Sequence, residues 1–186
     1  MLFYLFLVLL ICQRLFELRI ARHNHRWIVS QGGYEVGKEH YKWIVLLHIF
    51  FICSLLIEYL YRSPSPPPWW WLPIWLFLLA QVGRYWAIRS LGSFWNTRIL
   101  VLPHAPLDLK GPYRYIRHPN YLVVIIEILT FPLIFGLYIT ALLFSILNLC
   151  MILYRISIEE KALAEATASY SMIMDKPRFM PWGRKW

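Results

Sequence analysis

Long apolar runs alternate along this chain with shorter stretches in which charges, glycines and prolines collect. The first run covers residues 2–20, with Arg14, Glu17 and Arg19 in its second half. No basic residue precedes it and no small-residue cleavage motif follows, so it reads as a retained membrane helix rather than a signal peptide. Residues 21–42 are polar and hold Gly32, Gly33 and Gly37, which predicts a loop or a short interfacial helix. A second run, 43–61, stops at Ser63-Pro64-Ser65-Pro66-Pro67-Pro68, where the N–H groups a helix needs are missing. Trp69, Trp70 and Trp71 then open a third run, 69–88; such rings favour the membrane–water boundary.

Residues 90–120 are mixed and punctuated by Gly92, Pro103, Pro106, Gly111, Pro112 and Pro119. Beyond them, residues 121–158 are nearly continuously apolar. As one helix these 38 residues would reach about 57 Å, nearly twice the roughly 30 Å of a hydrocarbon core. Pro132 and Gly136 therefore predict a hairpin with arms 121–135 and 137–158. The tail from Glu159 starts helical and ends extended around its prolines. The expected fold is all-α: a polytopic membrane protein with about five transmembrane helices, the last two forming a helical hairpin, in a single domain spanning 1–186.

Composition supports a membrane and excludes other classes. Apolar residues make up 59% of the chain and charged residues 16%, against about 45–50% and about 25% in soluble domains. The net charge of +9 is explained by topology. With five spans, 18 of the 19 Lys and Arg fall on one side and only Arg62 on the other. The positive-inside rule makes the basic side cytoplasmic, with the N-terminus outside and the C-terminus inside, so the charge asks for no nucleic acid. Cys12, Cys53 and Cys150 lie in apolar runs with no metal or redox spacing. His23 and His25 belong to a basic interfacial stretch, and no metal is expected.

Two clusters can carry chemistry. One is Gly111-Pro112-Tyr113-Arg114-Tyr115-Ile116-Arg117-His118-Pro119-Asn120-Tyr121, just before an apolar helix; the other is Arg155, Glu159 and Glu160. Arg155 and Glu159 share a helix face. Read alone, each cluster is equally an interfacial anchor or a surface ion pair. A turn at Gly136 changes that, because His118 lies 18 residues before it and Arg155 lies 19 after. Two arms of equal length return both clusters to one membrane face, where a polar cationic cofactor could meet an apolar substrate.

The first cluster resembles the G-x-Y-x-x-x-R-H-P-x-Y motif of the isoprenylcysteine carboxyl methyltransferase family, and Arg155 to Glu160 is similar to that family's R-x-x-x-E-E element. Tyr170 and Lys176-Pro177-Arg178-Phe179-Met180-Pro181 are similar to its tail, so the resemblance runs from about Arg98 to Pro181. Where the family often has F-G-x-x-Y, this chain reads Leu163-Ala164-Glu165-Ala166-Thr167-Ala168-Ser169-Tyr170. Arg14-Leu15-Phe16-Glu17, Gly32 to Gly37, His40-Tyr41 and His48 resemble the short bacterial members, some of which methylate hydroxyls of phenolic or pyrone lipids.

The resemblance implies an integral membrane methyltransferase of the bacterial cytoplasmic membrane that uses S-adenosylmethionine. It implies that Tyr113, His118, Pro119, Asn120, Tyr121 and Glu159 line the cofactor site, with Leu107 and Asp108 placed there by position alone, and cofactor segments over about 98–121 and 155–181. Arg155 falls where the family places an arginine important to the acceptor. The acceptor would be lipophilic, a prenylated or other lipid molecule methylated on an oxygen. A carboxylate is ionised at neutral pH and needs only orientation; a phenol, ionising at about 10, needs a base or a nearby cation. Glu17, His40 and His48 are the candidate bases. A non-catalytic membrane scaffold and a phospholipid-amine methyltransferase remain the alternatives.

Overall fold

The structure, a computed structural model, describes residues 1–105, 110–166 and 176–179. It is mostly helical: α1 (Leu2–Ser30), α2 (Lys38–Arg62), α3 (Trp71–Leu91), α4 (Pro119–Ile134) and α5 (Tyr138–Ala166). Strands β1 (Tyr34–Val36) and β2 (Ile99–Val101) pair antiparallel, Glu35 opposite Leu100. Short 3-10 turns occupy Gly92–Phe94 and Gly111–Arg114.

Side-chain contacts show that the helices alternate in direction. Phe3 stacks on Tyr59 with centroids 3.9 Å apart and meets Phe135 edge-on at 5.2 Å. The start of α1 and the ends of α2 and α4 therefore share one end of the bundle. Glu58, near the end of α2, accepts hydrogen bonds from the backbone N–H of Ile139 at 3.2 Å and Thr140 at 2.7 Å, which brings the start of α5 to the same end. The core is a column of Phe3, Leu7, Phe51, Leu55, Phe77, Ile128, Phe131 and Phe144, drawn from all five helices. Around the outside, Leu9, Phe50, Leu79, Leu142 and Ile146 are exposed, an apolar girdle that water would not tolerate over such an area.

The α4–α5 hairpin turns where the sequence indicates. The backbone N–H of Phe135 and of Leu137 both reach the Pro132 carbonyl. Gly136 has φ +72, and a Cβ there would stand 3.1 Å from the Ser65 carbonyl, so the turn tucks under the proline-rich link between α2 and α3.

Several boundaries differ from the sequence reading. α1 runs ten residues past Ile20, because the arginines and histidines of 21–30 are adequate helix formers once one turn is in place. It stops where the Gly33 N–H bonds back to the Ile28 carbonyl at 2.9 Å. The stretch 21–42, expected as a loop or a short interfacial helix, is thus the end of α1, strand β1 and the start of α2. The β1–β2 ribbon is an addition to the all-α expectation; with three residues per strand, it is too short to show period-two patterning. α5 continues past the apolar span to Ala166, in keeping with the helical start expected of the tail. Among the described residues, α2 and α5 are long and apolar enough by themselves to cross a membrane. α4 is apolar but has 16 residues, α1 is charged in its second half, and Gln81 and Arg84 lower the hydropathy of α3.

Candidate functional site

At the end of the bundle opposite the hairpin turn, the segment before α4 lies against the last turns of α5. Gly111 opens that segment with φ +55, and a Cβ would meet Ser90 Oγ at 1.9 Å. Only glycine lets this chain sit directly on the end of α3. Pro119 then occupies the first turn of α4, where its missing N–H costs nothing.

The two sequence clusters meet as the hairpin arithmetic requires. Tyr121 donates its hydroxyl to Glu159 Oε2, and Arg155 Nε donates to the same Tyr121 oxygen at 2.6 Å. Arg155 Nη2 also donates to the Thr97 carbonyl at 2.7 Å, which ties α5 to the residues leading into β2. Glu160 faces the other way. It takes hydrogen bonds from His118 Nε2 at 3.0 Å and from Arg178 Nη2 at 2.6 Å, and pairs with Arg117 at 2.8 Å. The backbone N–H groups of Arg117 and His118 reach the Pro177 and Arg178 carbonyls. Glu160 thus fastens residues 176–179 over the motif, while Glu159 is left to the cavity.

That cavity, about 200 Å³, is lined by Tyr113, His118, Asn120, Tyr121, Arg155 and Glu159 among others. Burial, and after it the Glu159 carboxylate, push the Tyr113 hydroxyl well above its ordinary ionisation, so Tyr113 stays a neutral phenol. Four buried polar atoms of residues on the cavity wall have no hydrogen-bond partner among the described residues: Trp95 Nε1, Arg117 Nε, Asn120 Oδ1 and Asn148 Nδ2. Native interiors rarely leave such atoms unsatisfied. A polar ligand offering both donors and acceptors would satisfy them.

A second cavity of about 380 Å³ adjoins the first and is almost wholly apolar, with Leu10, Ile11 and Leu18 of α1 facing Ile44, Val45 and Ile49 of α2. Arg14, Glu17, Ile44, His48 and Thr97 line both. Beside this junction lies a buried charge cluster. Arg84 bonds Glu127 through Nε at 2.8 Å and through Nη2, and reaches Glu17 at 3.2 Å. Arg14 bridges Glu17 at 2.8 Å and Glu127. Gln13 and Gln81 fill remaining acceptor positions. Two guanidinium groups and two carboxylates cancel, which makes the cluster tolerable inside an apolar bundle.

Of the residues singled out from the sequence, Tyr113, His118, Asn120, Tyr121, Arg155 and Glu159 come together around the polar cavity, and Glu17 and His48 stand at the junction. Pro119 shapes the α4 start without lining the cavity. His40 lines neither cavity; it is buried with its ring edge-on to Tyr154 at 6.0 Å. Leu107, Asp108 and Tyr170 lie outside the described residues. Sequence reasoning missed Asn148 and Glu127. Glu127 is the one charged residue of α4, and Asn148 is a polar side chain within an apolar run of α5; a polar group in such a run signals function or pairing in a membrane segment. Asn148 also sits two turns before Arg155 on the same face.

The described residues thus form an apolar helical bundle with a polar, charge-lined pocket at one end and an adjoining apolar cavity. A family model described as the isoprenylcysteine carboxyl methyltransferase (ICMT) family matches residues 72–165, and the chain belongs to that family of membrane methyltransferases. It is 45% identical over 163 residues to the Bacillus subtilis protein YpbQ, described as uncharacterized, covering 88% of this chain and 97% of that one. An uncharacterized Haemophilus influenzae protein is 24% identical over 152 residues, covering 81% and 88%.

Proposed function

We propose that this protein transfers a methyl group from S-adenosylmethionine to an oxygen of a lipophilic acceptor. The observation that carries the reading is the meeting of Tyr121, Arg155 and Glu159 over a polar cavity that adjoins an apolar one. S-adenosylmethionine supplies a methyl group on a positively charged sulfur. The residues present suit it: Glu159 offers a carboxylate to its amine or ribose hydroxyls, and Asn120, Asn148 and Trp95 offer the unpaired acceptor and donors just described. Tyr113, His118 and Tyr121 enclose its aromatic and amino-acid ends, with Leu107 and Asp108 as further contacts. Pro119 fixes the start of the helix that carries this segment.

The acceptor's chain occupies the apolar cavity between α1 and α2, and its reacting oxygen reaches the junction. Arg155, held at two points by Tyr121 and Thr97, directs its remaining N–H groups to an acceptor oxyanion. Excluding water strengthens that contact and favours a reaction in which opposite charges disappear. The bundle crosses the bacterial cytoplasmic membrane five times as one domain, with α1 beginning outside and both motif clusters at the cytoplasmic face. The alternating helix directions and the apolar girdle support this arrangement.

The test is saturable binding of radiolabelled S-adenosylmethionine to detergent-purified protein, together with mass spectrometry of lipids from expressing cells. Binding that Glu159→Ala abolishes, with a lipid heavier by one methyl group, supports the reading. Absence of both favours a non-catalytic scaffold. Label in phospholipid amines would redirect the acceptor assignment.

A further inference from the structure

We propose that Arg117 binds the carboxylate at the amino-acid end of S-adenosylmethionine, through the edge of its guanidinium formed by Nε and Nη2. This inference rests on the methyl-transfer reading above. The donor carries a sulfonium, an α-amine and an α-carboxylate, and no residue has yet been given to the last of these. A carboxylate taken out of water into an apolar bundle needs a cation with N–H groups to spare. Glu159 can only repel it.

Among the described residues five arginines line the polar cavity, and four of them are engaged elsewhere. Arg14 and Arg84 are paired with Glu17 and Glu127 at the junction with the apolar cavity. Arg98 is paired with Glu35 at 2.6 Å, and its guanidinium carbon lies 4.0 Å from the centre of the Tyr41 ring. Arg155 donates to Tyr121 and to the Thr97 carbonyl. Arg117 differs from all four. Its Nη1 holds Glu160 at 2.8 Å, a carboxylate shared with His118 and Arg178, while its Nε is buried and has no hydrogen-bond partner among the described residues.

In a guanidinium the N–H bonds of Nε and Nη2 run parallel, a two-toothed edge that matches the two oxygens of a carboxylate. Glu160, bound to Nη1, fixes the plane of the group and so presents this edge in advance of any ligand. A second unpaired atom fits the same end of the donor. Asn120, three residues further on, has its Oδ1 buried without a partner, and it too lines the cavity. One orphan is a cationic donor and the other a neutral acceptor. The α-carbon of S-adenosylmethionine carries a carboxylate, which needs the first, and an ammonium, which suits the second. An unmade hydrogen bond on a buried charged group is more destabilising than one on a neutral group, so Arg117 gains most from being filled.

The experiment measures, by calorimetry in detergent, the affinities of wild type, Arg117→Ala and Arg117→Lys for S-adenosylmethionine and for decarboxylated S-adenosylmethionine, which keeps the sulfonium and the amine but lacks the carboxylate. Wild type prefers the intact donor by about 10- to 100-fold, the worth of a hydrogen-bonded charge pair. Arg117→Ala loses that preference, while its affinity for the decarboxylated analogue stays within about threefold of wild type; a residue that served only the fold would weaken both ligands alike. Arg117→Lys keeps a charge facing Glu160 without the two-toothed edge, so it binds the analogue normally and shows a reduced preference. Equal binding of the two ligands by wild type overturns the proposal, as does an undiminished preference in Arg117→Ala. If Arg117→Ala binds neither ligand, Arg117→Lys decides: analogue binding kept with the preference reduced supports the proposal, and full preference or loss of both ligands overturns it. Failure of wild type to bind either ligand overturns the methyl-transfer reading instead.

Discussion

Arg155 and Tyr121 stand 34 positions apart in the chain, yet Arg155 Nε donates a 2.6 Å hydrogen bond to the Tyr121 hydroxyl oxygen. The same tyrosine donates to Glu159, and Arg155 also holds the Thr97 carbonyl. One phenol therefore joins the arginine assigned to the acceptor to the carboxylate assigned to the methyl donor. The two halves of the site are set relative to each other by side chains, beyond what the hairpin alone provides.

Tyr121→Phe and Arg155→Lys should each lower methyl transfer by about 30-fold, the equivalent of about 2 kcal/mol for one charge-assisted hydrogen bond. Because both variants break the same contact, the double variant should lose much less than the product of the two. Initial rates from the four members of the cycle check this; full additivity would mean that the two residues act independently.

Arg84 and Glu127 are both almost wholly buried, with 3% of each side chain exposed, and they pair directly. Arg84→Met leaves Glu127 and Glu17 facing Arg14 alone and should destabilise the bundle by about 3–5 kcal/mol. Arg84→Met with Glu127→Leu removes both charges and should recover most of that loss. Thermal inactivation in detergent, followed by donor binding, measures both.

Glu58 caps α5 through the Ile139 and Thr140 N–H groups, far from the cavity. Glu58→Ala should cost about 1–2 kcal/mol of stability, the ordinary range for a lost cap, while donor affinity in the folded protein stays unchanged. A melt and a binding isotherm on the same preparation separate the two effects.

Much of this arrangement was readable in the sequence. Pro132 and Gly136 divided a run too long for one span, and equal arm lengths brought the His118 and Arg155 clusters to one end of the bundle, where both line the polar cavity. Where patterns were short or self-cancelling, legibility failed. Residues 21–30 look polar but are helix, because helix propensity is indifferent to charge once packing supports the turn. The three-residue strands have too little length for a period. The Arg14–Glu17–Arg84–Glu127 cluster draws on three helices separated by up to 113 positions, and no local signal reports that. His40 and His48 look alike in sequence, about two turns apart on one helix, and only the packing of α1 and α5 against α2 sends one to Tyr154 and the other to the cavities.

Photo-crosslinking of radiolabelled S-adenosylmethionine, with the label mapped by peptide mass spectrometry, tests the central claim most directly. Label on peptides spanning residues 113–121 and 148–159, displaced by unlabelled S-adenosylhomocysteine, is the predicted result. Label that resists displacement, or that falls outside those two stretches, would contradict a donor pocket built where α4 begins and α5 ends.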